Sequence, residues 1–598
     1  MIQQNEYVLK KMFGSFFLAT VMSALMAHLG GLTDSIIIGH LVSPDALSVV
    51  RMWTPFESVM FIIIGVMSAG ASFISTRSIG GQDYDKVNRV FNHHLYYVVI
   101  ATLLVIGLAL PFTDAVGSIV TSDERLVPLL TPYIHAEYFA IFFAAVCGVP
   151  MSYIISNGNP ALITRRIIIS QVFNALFDLL FCGVFDMGIA GGSYATALSN
   201  VIAFSSLLGY LRDNSHIFRL QPPQKVLSFG LYRECFVIGA PMLIAALFGP
   251  VSAYIMNSLV VSKLGADSMF AFTVYFQINV IAMLALAGTG TAIRHIGGLL
   301  IGEEDYDSLR MLTRRIFRLL IVVMIVVSLL VFLFPDALAR LFGASDSLIE
   351  HCRTPFRLLS LALLPNALAE TLSSLYFVQG HHKLCRWLEI ITDAGAIVVI
   401  ALMAIYTPEL IWYIMPFTAW LILLVTVAMA YVVHRKTPIY SWPTLQNMLP
   451  TAPYMSFSVP YTEAGVNEFL DKANPFIELC ELKDGVPATI ALEELAYEMV
   501  DANPNRHPNE TFDVRVIDKE DVFIVILKSK GKPYNPIYKY ENEDVMNIED
   551  ADMRRAVLSR VCQDINYKYM NGINCVYLNY RRSLPPSPQE GPSARTSN

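Results

Sequence analysis

Twelve runs of about twenty or more predominantly apolar residues, separated by short polar connections, constrain this chain before any single residue does. Runs of that length are read as helices crossing a hydrocarbon core, where only helices and closed barrels satisfy every backbone N–H and C=O. They fall near 12–39, 52–77, 91–113, 130–157, 163–186, 189–212, 233–262, 270–300, 314–335, 352–379, 384–407 and 408–434. With 55% hydrophobic and only 15% charged residues among 598, the chain is expected to be an integral membrane protein, and no nucleic-acid partner is indicated. Its eight cysteines form no C-x-x-C pair, which suits neither a disulfide framework nor a zinc site, so no structural metal and no cofactor is expected. Met1 to Lys11 is polar and the run after it is long enough to span, so the first helix is expected to serve as its own signal.

Basic residues orient the spans. Lys10, Lys11, Arg77, Lys86, Arg89, Arg165, Arg166, Arg212, Arg219, Arg294, Arg310, Lys383, Arg386, Arg435 and Lys436 are assigned to one side, whereas the opposite connections carry Asp45, Asp114, Asp123, Glu124, Asp267 and Asp336. The positive-inside rule then puts both termini in the cytoplasm. An internal repeat organises the same helices: IGGQDYD at Ile79 to Asp85 recurs as IGEEDYD at Ile301 to Asp307, displaced by 222 positions, and Gly158 falls on Gly380 with the same displacement. Two six-helix lobes in parallel repeat are expected, 1–222 and 223–436, with a cavity between them.

One stretch within this frame is chemically out of place. In Gln171 to Asn200, Asn174 and Asp178 stand four residues apart, on one face of a helix whose remaining surface is Val172, Phe173, Leu176, Phe177, Leu179 and Leu180. A carboxylate near the middle of a membrane helix costs about 2.5 to 3.5 kcal/mol on insertion scales. Two uses justify such a residue, a hydrogen-bond clamp between helices or a proton or cation site.

After Lys436 the composition changes. Residues 437–460 read as a proline-punctuated linker, 461–582 as a soluble α+β domain on the cytoplasmic side, and 583–598 as a disordered tail. Within the domain, Pro487 to Asp501 and Met553 to Met570 read as helices, and Phe512 to Ile517, Val522 to Leu527 and Cys575 to Tyr580 as strands.

The membrane portion resembles the multidrug and toxic compound extrusion (MATE) transporters. The resemblance is carried by TDSIIIGHL at Thr33 to Leu41, N-x-x-x-D at Asn174 to Asp178, GIAGGSYAT at Gly188 to Thr196 and the two-lobed repeat. It implies a cation site in the N-terminal lobe made by Asp34, Asn174, Asp178 and Thr196, with Na+ or H+ as coupling ion and Asp34 and Asp178 as the Na+ ligands. Helix rise supports this, since Asp178 lies roughly 23 Å and Asp34 roughly 33 Å from the inner ends of helices running in the same direction. Glu370 on the tenth helix reads as the lone acid in the apolar core of the C-terminal lobe, in a coupling or substrate role or as a local hydrogen-bond partner. The first helix has no proline between Leu9 and Pro44.

The tail carries a second resemblance. ALEELAYEMVDAN at Ala491 to Asn503 and LKSKGKPYNP at Leu527 to Pro536 resemble histidine-kinase-type ATPases of the anti-sigma-factor kinases. Glu494 and Gly531 match that pattern, whereas Glu498 replaces the magnesium-binding Asn, Ser529 replaces the adenine-reading Asp, and the region of Arg554, Arg555 and Ala556 lacks the lid glycines. A degenerate site with a regulatory or partner-binding role is the expectation. The whole chain then reads as an all-α polytopic membrane protein with twelve transmembrane helices and a cytoplasmic α+β domain, set in a bacterial inner membrane. It is read as a secondary exporter of a small organic, cationic or amphiphilic compound and not as an enzyme. The alternatives are a flippase for a lipid-linked substrate and a membrane sensor signalling through the tail to a cytoplasmic protein.

Overall fold

The computed structural model describes residues 7–114, 127–212, 218–223, 228–264, 266–342, 346–406, 408–447, 452–479, 485–503, 506, 510–519, 522–535, 564–570 and 572–581. The expectations for the 583–598 tail, for Arg554, Arg555 and Ala556, and for Asp123 and Glu124 lie outside these residues. Contacts divide the chain into two compact units, Ser15–Met448 and a second formed by Met1–Gly14 with Leu449–Asn598.

The first unit is helical. Its N-terminal lobe contains α1 (Tyr7–Leu41), α2 (Pro44–Gly80), α3 (Tyr84–Ala109), α4 (Val127–Ser156), α5 (Pro160–Asp178, prolonged by a π turn at Leu179–Val184) and α6 (Ile189–Ser205). The C-terminal lobe contains α7 (Phe229–Leu264), α8 (Ala266–Ala282, Leu284–Ala292, a π turn Ile293–Gly297 and Gly298–Gly302), α9 (Tyr306–Leu333), α10 (Asp346–Val378), α11 (His382–Glu389, a π turn Ile390–Ala394 and Gly395–Tyr406) and α12 (Ile414–Lys436). Among the described residues, nine of these helices are long and apolar enough to cross a membrane. The other three are α6, α7 and α11.

The repeated heptapeptides are helix punctuation. Asp83 and Asp305 are the N-caps of α3 and α9, and their carboxylates accept the amides of Lys86 and Ser308 at 3.0 and 3.1 Å. Such a cap is worth about 1 kcal/mol. The helices before Gly158 and Gly380 also end alike. Both glycines adopt positive φ, 83° and 88°, and the next residue reaches back to Ile154 O and Tyr376 O. That is the left-handed helix end glycine enters without a Cβ penalty.

The lobes meet at the end of the bundle where α2 and α8 finish and α7 begins. There a methyl group added at Gly80 would overlap the Leu299 carbonyl, and one at Gly302, its repeat counterpart, would overlap the Arg77 carbonyl. Higher on α2, Gly70 and Gly239 of α7 make the same kind of backbone approach to Cys235 O and Val66 O. Small residues let membrane helices pack this closely, which compensates for the missing hydrophobic drive between helices in lipid. Ser156 on α4 and His295 on α8 add a hydrogen bond of 2.9 Å across the same junction, and the His382 ring of α11 stands edge-on to Phe73 of α2 at 4.6 Å.

The segment after α12 does not behave as a free linker over its whole length. Leu445 is fully buried, Gln446 Nε2 donates to Thr313 Oγ1 at 2.6 Å, and Tyr376 Oη donates to Pro443 O at 2.8 Å, so residues 437–447 pack back against α9 and α10. Tyr454–Pro460, also expected as linker, is β1, an edge strand. Its backbone pairs with β2, and Phe457 and Val459 fill the core beneath.

The second unit contains an antiparallel sheet in the order β1-β2-β3-β5-β4, with β2 (Thr511–Asp518), β3 (Val522–Lys530), β4 (Asp564–Met570) and β5 (Ile573–Arg581). Helices α13 (Glu463–Leu479) and α14 (Gly485–Asp501) bury Val466, Phe469, Leu492 and Leu495 in one core with Val514, Val525 and Val576 of the sheet. The helix expected over Met553 to Met570 is corrected in its described part: Asp564–Met570 is a strand, paired residue by residue with β5. Its β-branched and aromatic residues Ile565, Tyr567 and Tyr569 alternate with polar ones and suit a pleated surface.

Overpacking a tight crossing costs about 1 to 3 kcal/mol. Gly80→Leu or Gly302→Leu should therefore open the α2–α7–α8 junction, and alkylation of Cys235, 1% exposed, should accelerate by about tenfold or more. Peptide mapping after N-ethylmaleimide treatment measures this, with buried Cys352 as the internal reference.

Candidate functional site

Helix α5 brings Asn174 and Asp178 to one face, four residues apart, and the structure turns that face towards α1 and α6. Asn174 Nδ2 donates to Asp34 Oδ1 of α1 at 2.7 Å and to Asp178 Oδ2 at 3.0 Å. One amide thus lies between two carboxylates that also face each other directly. Its carbonyl oxygen accepts the Ser199 hydroxyl of α6 at 3.2 Å, completing a three-helix link. Asn174 and Asp178 are 4% and 1% exposed, and Asp178 Oδ1 receives no N–H or O–H donor although it is buried. Gly192 of α6 faces the same oxygen, and a Cβ there would press on Ile38 Cδ1 of α1 at 3.1 Å. Gly30 similarly leaves room on α1 for the Gln171 amide, which a side chain would overlap.

Asp34, Asn174 and Asp178 are therefore brought together. Thr196 differs: its main-chain carbonyl accepts Ser199 Oγ and Asn200 Nδ2, both at 2.9 Å, while its hydroxyl makes no hydrogen bond among the described residues. The hydroxyl that touches the cluster belongs to Ser199, one turn further along α6, a residue the sequence pattern did not single out. Asn200 continues the polar line to Arg166, whose Nη2 donates to Asn200 Oδ1 at 2.7 Å. Arg166, 6% exposed, is thus buried against α6 rather than free in a connection.

A second acidic group in this lobe also escaped the sequence reading. Ser193 on the neighbouring face of α6 donates to Glu137 Oε1 of α4 at 2.7 Å, and Glu57 of α2 lies near enough to interact with Glu137 electrostatically. The available signal was an acid inside each of two apolar runs.

Glu370 is not the lone acid of the C-terminal lobe. It lines a cavity of about 340 Å³ together with Glu389 and Asp393 of α11, with Asn279, Asn366 and Thr392 in the same wall. Glu389 and Asp393 flank and enter the π turn of α11, as Asp178 adjoins the π turn of α5, its counterpart in the repeat. Such turns often mark functional sites. Arg294, assigned from sequence to a connection, lies inside α8 on a third π turn and interacts with Glu370.

No group of three or more metal-binding side chains occurs among the described residues. The His93–His94 pair is engaged within the protein: His93 Nε2 lies 3.2 Å from Ser228 O, and His94 lies 3.0 Å from Ser68 Oγ and 3.1 Å from Tyr153 Oη.

In the C-terminal unit the residues resembling a nucleotide site make contacts with one another's neighbours. Glu498, 1% exposed, accepts the Tyr534 hydroxyl. Gly531 abuts the Arg506 guanidinium, which donates to Lys530 O and, at 2.8 Å, to Asn503 Oδ1. Ser529 is buried in β3, and Glu494 lies on α14 one turn before Glu498. Among the described residues, Tyr534 thus lies against Glu498 and Arg506 against Gly531.

Comparison with known proteins agrees with this architecture. The family profile described as MatE matches residues 19–180 and 241–386. The multidrug export protein MepA of Staphylococcus aureus (strain bovine RF122 / ET3-1) is 22% identical over 277 residues, covering 46% of this chain and 60% of MepA. MepA of Staphylococcus haemolyticus is 20% identical over 278 residues, with 46% and 61% covered. The chain thus matches about 60% of the length of these curated relatives. Among solved structures, a MOP superfamily transporter from Pyrococcus furiosus superposes with a TM-score of 0.65 at 18% identity, covering 71% of this chain and 95% of that one. The Vibrio cholerae MATE transporter VcmN superposes at 0.66 with 16% identity, covering 71% and 98%. At these identities the likeness establishes a shared twelve-helix membrane fold. With the family profile spanning more than half of its residues, and both lobes represented, the chain belongs to the MatE family.

Proposed function

We propose that the protein is a secondary active exporter, not an enzyme, exchanging Na+ or H+ for a small organic cation or cationic amphiphile across a bacterial inner membrane, with both termini in the cytoplasm. The observation that carries this reading is the Asp34–Asn174–Asp178 cluster. Two carboxylates in a poorly solvated pocket need a shared proton or a monovalent cation, and an acceptor-only carboxylate oxygen such as Asp178 Oδ1 is a ready ligand for either. Ser199 and the Asn174 carbonyl supply neutral oxygens beside it. Filling the site favours the arrangement of α1, α5 and α6 in which the carboxylates stay together, and a ligand that prefers one state shifts the population towards it.

The substrate reading rests on the C-terminal lobe. A cavity of about 340 Å³ walled by Glu370, Glu389 and Asp393 is of a size for a small organic molecule and of a sign for a cationic one. That acidic lining disfavours a lipid-linked phosphate as cargo. The MepA relatives, which are multidrug export proteins, point the same way. In the C-terminal unit, the histidine-kinase-type resemblance is read as a fold that has lost nucleotide chemistry and has a regulatory role towards the transporter or a cytoplasmic partner. Tyr534 on Glu498 and Arg506 against Gly531 support this.

Three measurements test these readings. Cation-driven efflux of a fluorescent organic cation from loaded vesicles should fall by about tenfold or more in Asp178→Asn and Asp34→Asn. It should persist in a chain ending at Met448, which retains buried Leu445. Glu389→Gln and Asp393→Asn should raise the substrate concentration for half-maximal efflux by about fivefold or more, leaving the cation concentration for half-maximal efflux unchanged. A fluorescent ATP analogue should show no saturable binding to the full chain, and saturable binding would restore the alternative of a membrane sensor signalling through the tail.

A further inference from the structure

Arg166 and Asn200 continue the polar line of the acid pair, and every member of that line lies within the unit Ser15–Met448. A guanidinium only donates hydrogen bonds, so the Asn200 atom that Arg166 Nη2 meets at 2.7 Å is the carbonyl oxygen, and the Asn200 amide is fixed with Nδ2 turned away. Nδ2 donates to the Thr196 carbonyl at 2.9 Å. Arg166 itself is 6% exposed, and its Nε is buried without an acceptor. A permanent charge held inside a membrane lobe is costly and marks function.

The Ser199 hydroxyl stands where this line joins the acids. It lies 2.9 Å from the Thr196 carbonyl and 3.2 Å from Asn174 Oδ1. Both of these oxygens only accept, and a serine has one proton to give, so the two bonds compete. With the proton on Asn174 Oδ1, the Asn174 amide is anchored from α6 and keeps its Nδ2 towards Asp34 and Asp178. With the proton on Thr196 O, lone pairs of Ser199 and Asn174 face each other across 3.2 Å. That arrangement is repulsive when empty and attractive around a small cation. Asn200 weighs on the choice because its Nδ2 already occupies the Thr196 carbonyl, which lowers that oxygen's pull on a second donor.

We propose that Asn200, fixed by Arg166, is a positioning residue for Na+ at the Asp34–Asp178 pair: by occupying the Thr196 carbonyl it steers the Ser199 proton onto Asn174 and restrains the Na+ affinity of the pair. The proposal rests on the cation reading given above and concerns its Na+ form. Na+ binding selects the state in which the Ser199 proton has moved to Thr196 O, and the cost of reaching that state is what Asn200 sets.

Hydrogen–deuterium exchange of the full chain in lipid nanodiscs, read on peptide 171–184 during Na+ titration at fixed pH, tests this in wild type, Asn200→Asp, Ser199→Ala and the double variant. Asn200→Asp keeps the shape and leaves Arg166 an acceptor while removing the Nδ2 donor, so a shift there does not reflect a misfolded lobe. In the wild type Na+ should protect 171–184. The midpoint should fall about fivefold in Asn200→Asp, as expected for one redistributed hydrogen bond. It should rise in Ser199→Ala, and the double variant should match Ser199→Ala. Loss of a merely structural contact would loosen Na+ binding, so tightening is the diagnostic sign. A midpoint unmoved or raised in Asn200→Asp, a midpoint unmoved in Ser199→Ala, or an equal fall when Asn200→Asp is added to Ser199→Ala overturns the proposal and leaves the cation site standing. Protection of 171–184 by acid, after correction for intrinsic exchange, with none by Na+ overturns the proposal and leaves the proton form of the reading. No response to Na+ or to acid overturns both.

Discussion

A single side-chain amide, Asn174 Nδ2, lies between the carboxylates of Asp34 and Asp178, and much of the N-terminal lobe can be understood as the means of keeping it there. Two acids in an apolar helix bundle are tolerable only with donors, counter-charge or protons, because each unsatisfied charge in low dielectric costs several kcal/mol. The bundle supplies one donor, one hydroxyl and one glycine gap. Gly30 removes a side chain where Gln171 needs room, and Ser199 fixes the amide from the opposite side. One carboxylate oxygen remains without a donor, and that unmet demand gives a proton or cation somewhere to bind.

The lobes are joined by a different principle. Where α2 meets α7 and α8, helix backbones touch through Gly70, Gly239, Gly80 and Gly302, so the junction is a matter of shape with little chemistry. Gly80 and Gly302 occupy the same place in the two repeats, and the repeat brings them face to face. A junction of this kind is tight when formed, yet few specific bonds are broken when it parts. The Ser156–His295 hydrogen bond is one of the few directional contacts across it.

The local signals were legible because they act over one or two turns of chain. The Asp83 and Asp305 caps, the positive-φ glycines Gly158 and Gly380, and the four-residue spacing of Asn174 and Asp178 each follow from backbone geometry that a short sequence encodes. The helix expected over Asp564–Met570 is a strand: the alternation of Ile565, Tyr567 and Tyr569 with polar residues is too short to decide alone, and pairing with β5 decides it. Glu389 and Asp393 were passed over beside Glu370 because nothing in a linear reading shows that α10 and α11 share a cavity wall.

By itself the sequence determined the number of apolar spans, the two-lobed repeat and the identity of the carboxylate and amide residues, since hydrophobic length, periodicity and an acid out of place are properties of the chain alone. Only the tertiary structure decided that Ser199 rather than Thr196 gives its hydroxyl to Asn174, that three acids meet around one cavity, and that the start of α1 joins the C-terminal unit at Glu510. These are contacts between segments far apart in the chain. They depend on which helix faces turn towards one another, and that is settled by packing the whole bundle rather than by any local pattern.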